Sequence, residues 1–134
     1  MKYDEFIKHV QTAAQLGSRQ EAESAVRATL ETVRDRLVGD EAKDLAAQLP
    51  QKLGEYLRGR EGENGGHFSF KEFIERVSAK EGVEPSVAAI HARAVFSVLE
   101  NAVSPGEMKD VRVNFSDDYD ELFAPELFSS ESAS

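Results

Sequence analysis

The residues with the clearest capacity for chemistry lie in one segment, Glu61-Gly62-Glu63-Asn64-Gly65-Gly66-His67-Phe68-Ser69-Phe70-Lys71-Glu72. Aligned with the calcium loop of an EF-hand, it places glycine at the sixth position, an apolar residue at the eighth, Ser69 at the ninth and Glu72 at the twelfth. A calcium ion takes six to eight oxygen ligands, which is why such a loop alternates acidic residues and ends on a bidentate glutamate. Glu61, Glu63, Ser69 and Glu72 are therefore the metal-ligand candidates. The pattern departs at two positions that set affinity. Glu61 stands where aspartate is usual, and Gly65 offers no side-chain oxygen at the fifth. The competing reading is a Gly-rich linker followed by a capping box, with Ser69 as N-cap and Glu72 three residues into the helix.

A second constellation is the pair Arg27 and Arg93, each set among small apolar residues within a helical pattern. A buried guanidinium needs a carboxylate partner, so Arg27 is expected to pair with Asp44 and Arg93 with Asp110. An anion site between the two arginines is the alternative. His9, His67 and His91 share no zinc-ligand spacing. The sequence contains no P-loop, no G-x-G-x-x-G after a strand and no G-x-S-x-G elbow, and its carboxylates form no recognisable acid–base signature. It contains no cysteine, so thiolate chemistry and disulfides are excluded. No cofactor is called for.

The elements that must position these residues are helices. Phe6, Ile7 and Val10 recur at helical spacing from about Tyr3 to Ala14. Ser18-Arg-Gln-Glu21 is a capping box that opens a long helix through Val26, Leu30, Val33 and Leu37. Gly39 should end that helix, and Asp40 should cap the next, Glu41 to Leu49. Pro50 should open a short helix ending near Arg58. The same grammar returns with Ser69-Phe-Lys-Glu72, Pro85, Ser104-Pro-Gly-Glu107 and Ser116 as start signals.

That return is an internal repeat. Tyr3-Asp-Glu-Phe6-Ile7 recurs as Phe70-Lys-Glu-Phe73-Ile74 at an offset of 67, and from there the offset settles at 66. Ala22, Arg27, Ala28, Glu41, Asp44 and Glu55 then align with Ala88, Arg93, Ala94, Glu107, Asp110 and Glu121. Leu30, Leu37, Leu45 and Leu49 align with Phe96, Val103, Val111 and Phe115. Glu5 falls opposite Glu72 without any glycine-rich loop before it, which favours capping over calcium in the 61–72 segment. A unit of this size buries its own core poorly, so the copies should pack together. The expected fold is all-α, about eight helices in two tandem four-helix units, 3–58 and 69–123, joined by a linker over 59–68 and packed as one domain over 1–124.

The paired units, the Asp-Glu-Phe-Ile opening, the mid-helix Arg-Ala and the Leu45-Ala-Ala-Gln-Leu-Pro50 segment resemble the bacterial DUF2267 family over about residues 3 to 124. The resemblance implies a helical fold and carries no catalytic residues. Phe115-Ser116 replaces the Leu49-Pro50 pattern in the second copy, and serine can start a helix there.

The chain has 134 residues, is 40% hydrophobic and 31% charged, and carries a formal net charge of -9. That balance supports a packed core and argues against nucleic acid or an anionic membrane as partner. No membrane span and no apolar leader are visible, so a cytoplasmic location is expected. Residues 1–66 hold 10 basic and 12 acidic side chains, whereas residues 67–134 hold 6 and 13. The excess lies toward the end of the chain, where Leu127 and Phe128 have no counterpart in the first copy. They read as a short motif for a protein partner, or as a docking element, on an otherwise flexible acidic tail over 125–134. The function expected from all of this is a non-enzymatic interaction or regulatory module, with another protein as partner and an oligomeric state the sequence leaves open. The alternative is a small-ligand or metal-responsive binder that uses the cleft between the copies or the 61–72 loop.

Overall fold

The computed structural model describes residues 1–60 and 63–123. Over these residues the protein is all-helical, with eight α-helices, two 3₁₀ turns and no strand. The helices are α1 (Tyr3–Ala13), α2 (Arg19–Arg36), α3 (Gly39–Ala47), α4 (Gln51–Gly54), α5 (Phe70–Glu81), α6 (Pro85–Ala102), α7 (Pro105–Arg112) and α8 (Asp120–Phe123). The 3₁₀ turns cover Glu55–Leu57 and Asp117–Tyr119. Among the described residues no helix is long and apolar enough to cross a membrane.

Three of the helix starts rest on serine. The hydroxyls of Ser18, Ser69 and Ser104 accept from the backbone N–H of Glu21, Glu72 and Glu107, satisfying donors that a helix leaves unpaired in its first turn. Pro85 and Pro105 occupy first helical positions, where a missing N–H costs nothing. Gly82 closes α5 in the left-handed conformation at φ 73°.

The α2–α3 boundary differs from expectation. Helix α2 stops at Arg36 rather than Gly39, and Gly39 and Asp40 lie within the first turn of α3. The linker accounts for this. The Gly39 N–H donates to the Glu63 carbonyl at 2.8 Å, and the Gly66 N–H donates to the Asp35 carbonyl at 3.0 Å. The linker thus takes over backbone groups at the corner between the helices. Gly65 is required in this contact, because a Cβ there would fall 2.3 Å from the Arg36 carbonyl oxygen and 2.6 Å from the Leu37 carbonyl carbon.

The two long helices, α2 and α6, are central. Each packs against the other, and α1 and α5 each pack against both, so these four form one bundle. One contiguous core holds Phe6, Leu30, Leu37, Leu45 and Leu53 together with Phe73, Phe96, Phe115 and Tyr119. The aliphatic and aromatic parts segregate. Phe73, Phe96, Phe115 and Tyr119 meet edge to face at centroid distances of 4.6 to 6.3 Å, the arrangement ring quadrupoles favour. Helices α3 and α7 touch each other, α3 also packs on α2, and Leu45 of α3 and Val111 of α7 belong to the same core.

Candidate functional site

Among its described residues, 63–72, the loop does not gather ligands. Ser69 is spent as the N-cap of α5. Glu72 pairs with Arg76 one turn along at 2.6 Å. Glu63 faces Arg60 at 3.8 Å, and Glu61 lies outside the described residues. Residues 63–69 run against the end of α2 through backbone hydrogen bonds and end on the Ser69 cap of α5.

The arginine pairs are also corrected. Arg27 pairs with Glu31 at 3.2 Å on its own helix, with 65% of its side chain exposed. Arg93 reaches Glu121 at 2.5 Å, and both are about one-third exposed. Neither guanidinium is buried, so neither needs Asp44 or Asp110, and nearer acids on the same surface satisfy them. The buried arginine is Arg36, 7% exposed. Its Nε donates to the Phe68 carbonyl at 3.1 Å and its Nη1 to the Asn114 carbonyl at 2.6 Å. Its guanidinium lies 5.2 Å from the ring centroids of both Phe115 and Tyr119. The Tyr119 hydroxyl also donates to the Phe68 carbonyl, and burial pushes its pKa up to about 12. Carbonyl dipoles and ring faces thus solvate this cation in place of a carboxylate. Its position three residues after Val33, on the apolar stripe of α2, was the signal for it.

His91 is a satisfied core histidine. Its Nδ1 lies 2.7 Å from Oε1 of Glu81, with both side chains almost fully buried. Burial raises the Glu81 pKa, and the hydrogen bond and charge of His91 oppose that rise. Leu127 and Phe128 lie outside the described residues.

Asp44 and Asp110 nevertheless sit at a site, in other company. Glu41 and Asp44 are three residues apart on α3, and Glu107 and Asp110 three apart on α7, so each pair shares a helix face. The two faces meet. Carboxylate oxygens of Glu41, Glu107 and Asp110 all lie within 4.8 Å of one another. Glu41 and Glu107 are hydrogen-bonded to each other, which requires a proton between them. Glu107 is 9% exposed and Glu41 half-buried. Burial raises the Glu107 pKa to about 7, and the charge of Glu41 adds to the rise. Burial also raises Glu41, opposed by its bond to Glu107 and reinforced by the charges of Asp110 and Asp44.

Oε1 of Glu41 and Oε2 of Glu107 are both buried, and no N–H or hydroxyl of another residue donates to either. Among the described residues no Lys, Arg or His forms an ion pair with any of the four acids. The seam has one further tie, from the Ser104 N–H at the start of α7 to Oε1 of Gln48 at the end of α3, 2.8 Å long. The duplicated acid pair at an offset of 66 was visible in the sequence, but nothing in the offset showed that its two copies face each other.

Fold and site together define an all-helical protein in which two short helices meet through closely spaced, partly buried carboxyls. The family described as "Uncharacterized conserved protein (DUF2267)" matches residues 3–122, and the chain belongs to that family. No curated protein matches the chain in sequence.

Proposed function

We propose that the protein is a non-enzymatic regulatory module built from two copies of a four-helix unit, with the α3–α7 contact as the part that responds. The helix lengths support the duplication: 11, 18, 9 and 4 residues in α1 to α4, then 12, 18, 8 and 4 in α5 to α8. In this reading Glu41 and Glu107 are the same residue of the repeat, and a near-twofold arrangement sets them against each other. The observation that carries the reading is the buried Glu41–Glu107 pair, because it is costly. Burying two carboxyls without a cation loses solvation that no opposite charge returns, and a plain packing contact would not incur that loss.

The partner in this reading is another protein. Val38 and Val113, 43% and 75% exposed, offer it apolar contact at a cavity of about 550 Å³ that Arg36, Asn64 and His67 also line. Both valines flank the α3–α7 pair in sequence, so a change at the seam reaches them directly.

Amide hydrogen exchange tests the reading. After correction for intrinsic rates, amides of α3 and α7 should lose protection by at least about tenfold between pH 6 and pH 8.5, while those of α2 and α6 hold theirs. Uniform protection of all four helices across that range would sink it.

A further inference from the structure

We propose that the segment 124–134 of this chain docks in the groove between α1 and α6, with Leu127 and Phe128 as its anchors. The inference rests on the duplication in the reading above and extends it to a stretch that the repeat leaves without a place. The two copies set equivalent grooves on two sides of the bundle, α5 against α2 and α1 against α6. The first groove is filled by the linker. Phe68 is 7% exposed there, and the Arg76 guanidinium of α5 lies 3.8 Å from its ring centroid. Gly66 ties the same stretch to the last turn of α2 by donating its N–H to the Asp35 carbonyl.

The second groove is open. The repeat offsets of 67 and 66 carry Phe68, Arg76 and Asp35 onto Met1, His9 and Asn101. Those three residues line a cavity of about 500 Å³ together with Ala13 and Val98. Met1, in the place of Phe68, is 43% exposed and does not close it. A hollow with mostly apolar walls keeps apolar surface in water, a cost that one large buried side chain relieves. Among the described residues no acid lines this cavity, although the chain carries a net charge of -9. An acidic segment therefore meets no like charge in its walls.

The stretch after the second copy fits this groove by position, length and chemistry. Residues 58–68 lead from the first copy into the filled groove, and residues 124–134 follow the second copy with the same length of eleven. The described fold ends against the right helix. Phe123 packs on Phe96 of α6 at a centroid distance of 5.2 Å, and Val98 and Asn101 lie just beyond Phe96 on that helix. A proline at 125 cannot continue α8 and favours extended backbone at the residue before it. Leu127 and Phe128, four and five residues past Phe123, reach up to about 14–17 Å along extended chain, enough to pass round α6. Phe128 then takes the part that Phe68 plays in the twin groove. Docked, the pair is withheld from other surfaces, so a protein that binds Leu127 and Phe128 must first draw them out.

The experiment is NMR of the full chain beside thermal melts. Ring protons of Phe128 should show NOEs to the methyl groups of Ala13 and Val98. Phe128→Ala should lower the melting temperature by about 3–10 °C, because a docked phenylalanine contributes burial that alanine cannot replace. Ala13→Glu places a charge on the exposed wall of the groove without touching the core. It should abolish the NOEs, and added to Phe128→Ala it should lower the melting temperature little further. Glu75→Gln, at an exposed acid on α5, should leave both readouts as in the parent. Absence of NOEs from Phe128 to either methyl group, or a melting temperature unchanged by Phe128→Ala, overturns the proposal. NOEs from Phe128 to Val38 or Val113 also overturn it, since they place the segment in the Arg36 cavity. NOEs between labelled and unlabelled chains in a mixed sample do the same, since they make the occupant a second copy. Failure here with α3 and α7 still loosening as pH rises would leave the responsive seam standing, whereas docking with pH-independent protection would remove the seam and keep the groove.

Discussion

Replacing Glu107 with glutamine should stabilise the protein at alkaline pH. Glutamine keeps the shape of a protonated glutamate and can donate its amide N–H to the Glu41 carboxylate, but it cannot ionise. A carboxyl raised from 4.5 in the unfolded chain to about 7 in the fold contributes stability that is fully present below pH 4.5. The unfolded chain then releases the proton first, so the contribution is lost as pH climbs from 4.5 toward 7. At about 1.36 kcal/mol per pH unit the whole span amounts to about 3 kcal/mol. Asp44 and Asp110 are exposed, so water screens part of this repulsion, and about 1–3 kcal/mol is the expected effect.

At pH 5 the variant and the parent should melt within a few degrees of each other. At pH 8.5 Glu107→Gln should melt higher by roughly 3–12 °C for a chain of this size. α3 is the helix packed on α7, and its acids Glu41 and Asp44, with Asp110 on α7 itself, are the charges that face Glu107. A pH profile of the variant that parallels the parent's from 5 to 8.5 refutes the reasoning, as does a variant less stable than the parent at pH 8.5.

The remaining predictions concern single groups. Arg36→Met should cost about 2–4 kcal/mol in urea denaturation, because the Asn114 carbonyl loses its Arg36 donor and the two rings lose their cation; a loss below about 0.5 kcal/mol would contradict the bridging role. His91→Leu should strand a buried Glu81. The penalty should be about 2–4 kcal/mol at pH 8 and smaller as pH falls, because burial favours the neutral form of Glu81, and adding Glu81→Gln should recover part of it at pH 8; a penalty that does not change with pH would count against it. Gly65→Ala should destabilise by about 2–4 kcal/mol, since its Cβ meets backbone that cannot rotate away, and NMR should show the Gly66 amide exposed to exchange; a Gly66 amide as protected as in the parent would show that the contact yields more easily than its distances imply.

Much of the scaffold is legible from local chemistry. The serines at 18, 69 and 104 and the proline at 85 mark helix starts because they satisfy or dispense with first-turn donors, and those requirements are local. The end of α2 was misjudged because it is decided by partners 24 to 31 residues away, Glu63 and Gly66, whose hydrogen bonds no local pattern announces. Arg27 and Arg93 mislead because helical periodicity says which residues share a face without saying whether that face is covered. The seam was missed for a different reason. Ion pairs join opposite charges, and Glu41 with Glu107 is a contact between like ones, which burial makes possible by favouring the neutral form of Glu107. Arg36 is not legible in the sequence because a basic residue in an apolar stripe usually reaches outward to water.

The Arg36 bridge bears on the order in which the chain assembles. It joins positions 78 apart, from the end of α2 to the last turn after α7, and so closes a loop of more than half the chain. Loop-closure entropy makes such a contact late, formed after the shorter-range packing of α1 on α2 and α5 on α6. Until it forms, a guanidinium destined for the interior remains in water, and the carbonyls of Phe68 and Asn114 remain hydrated. The bridge therefore acts as a clasp. Breaking it should speed unfolding far more than it slows folding, so its value to the cell lies in how long the folded molecule lasts.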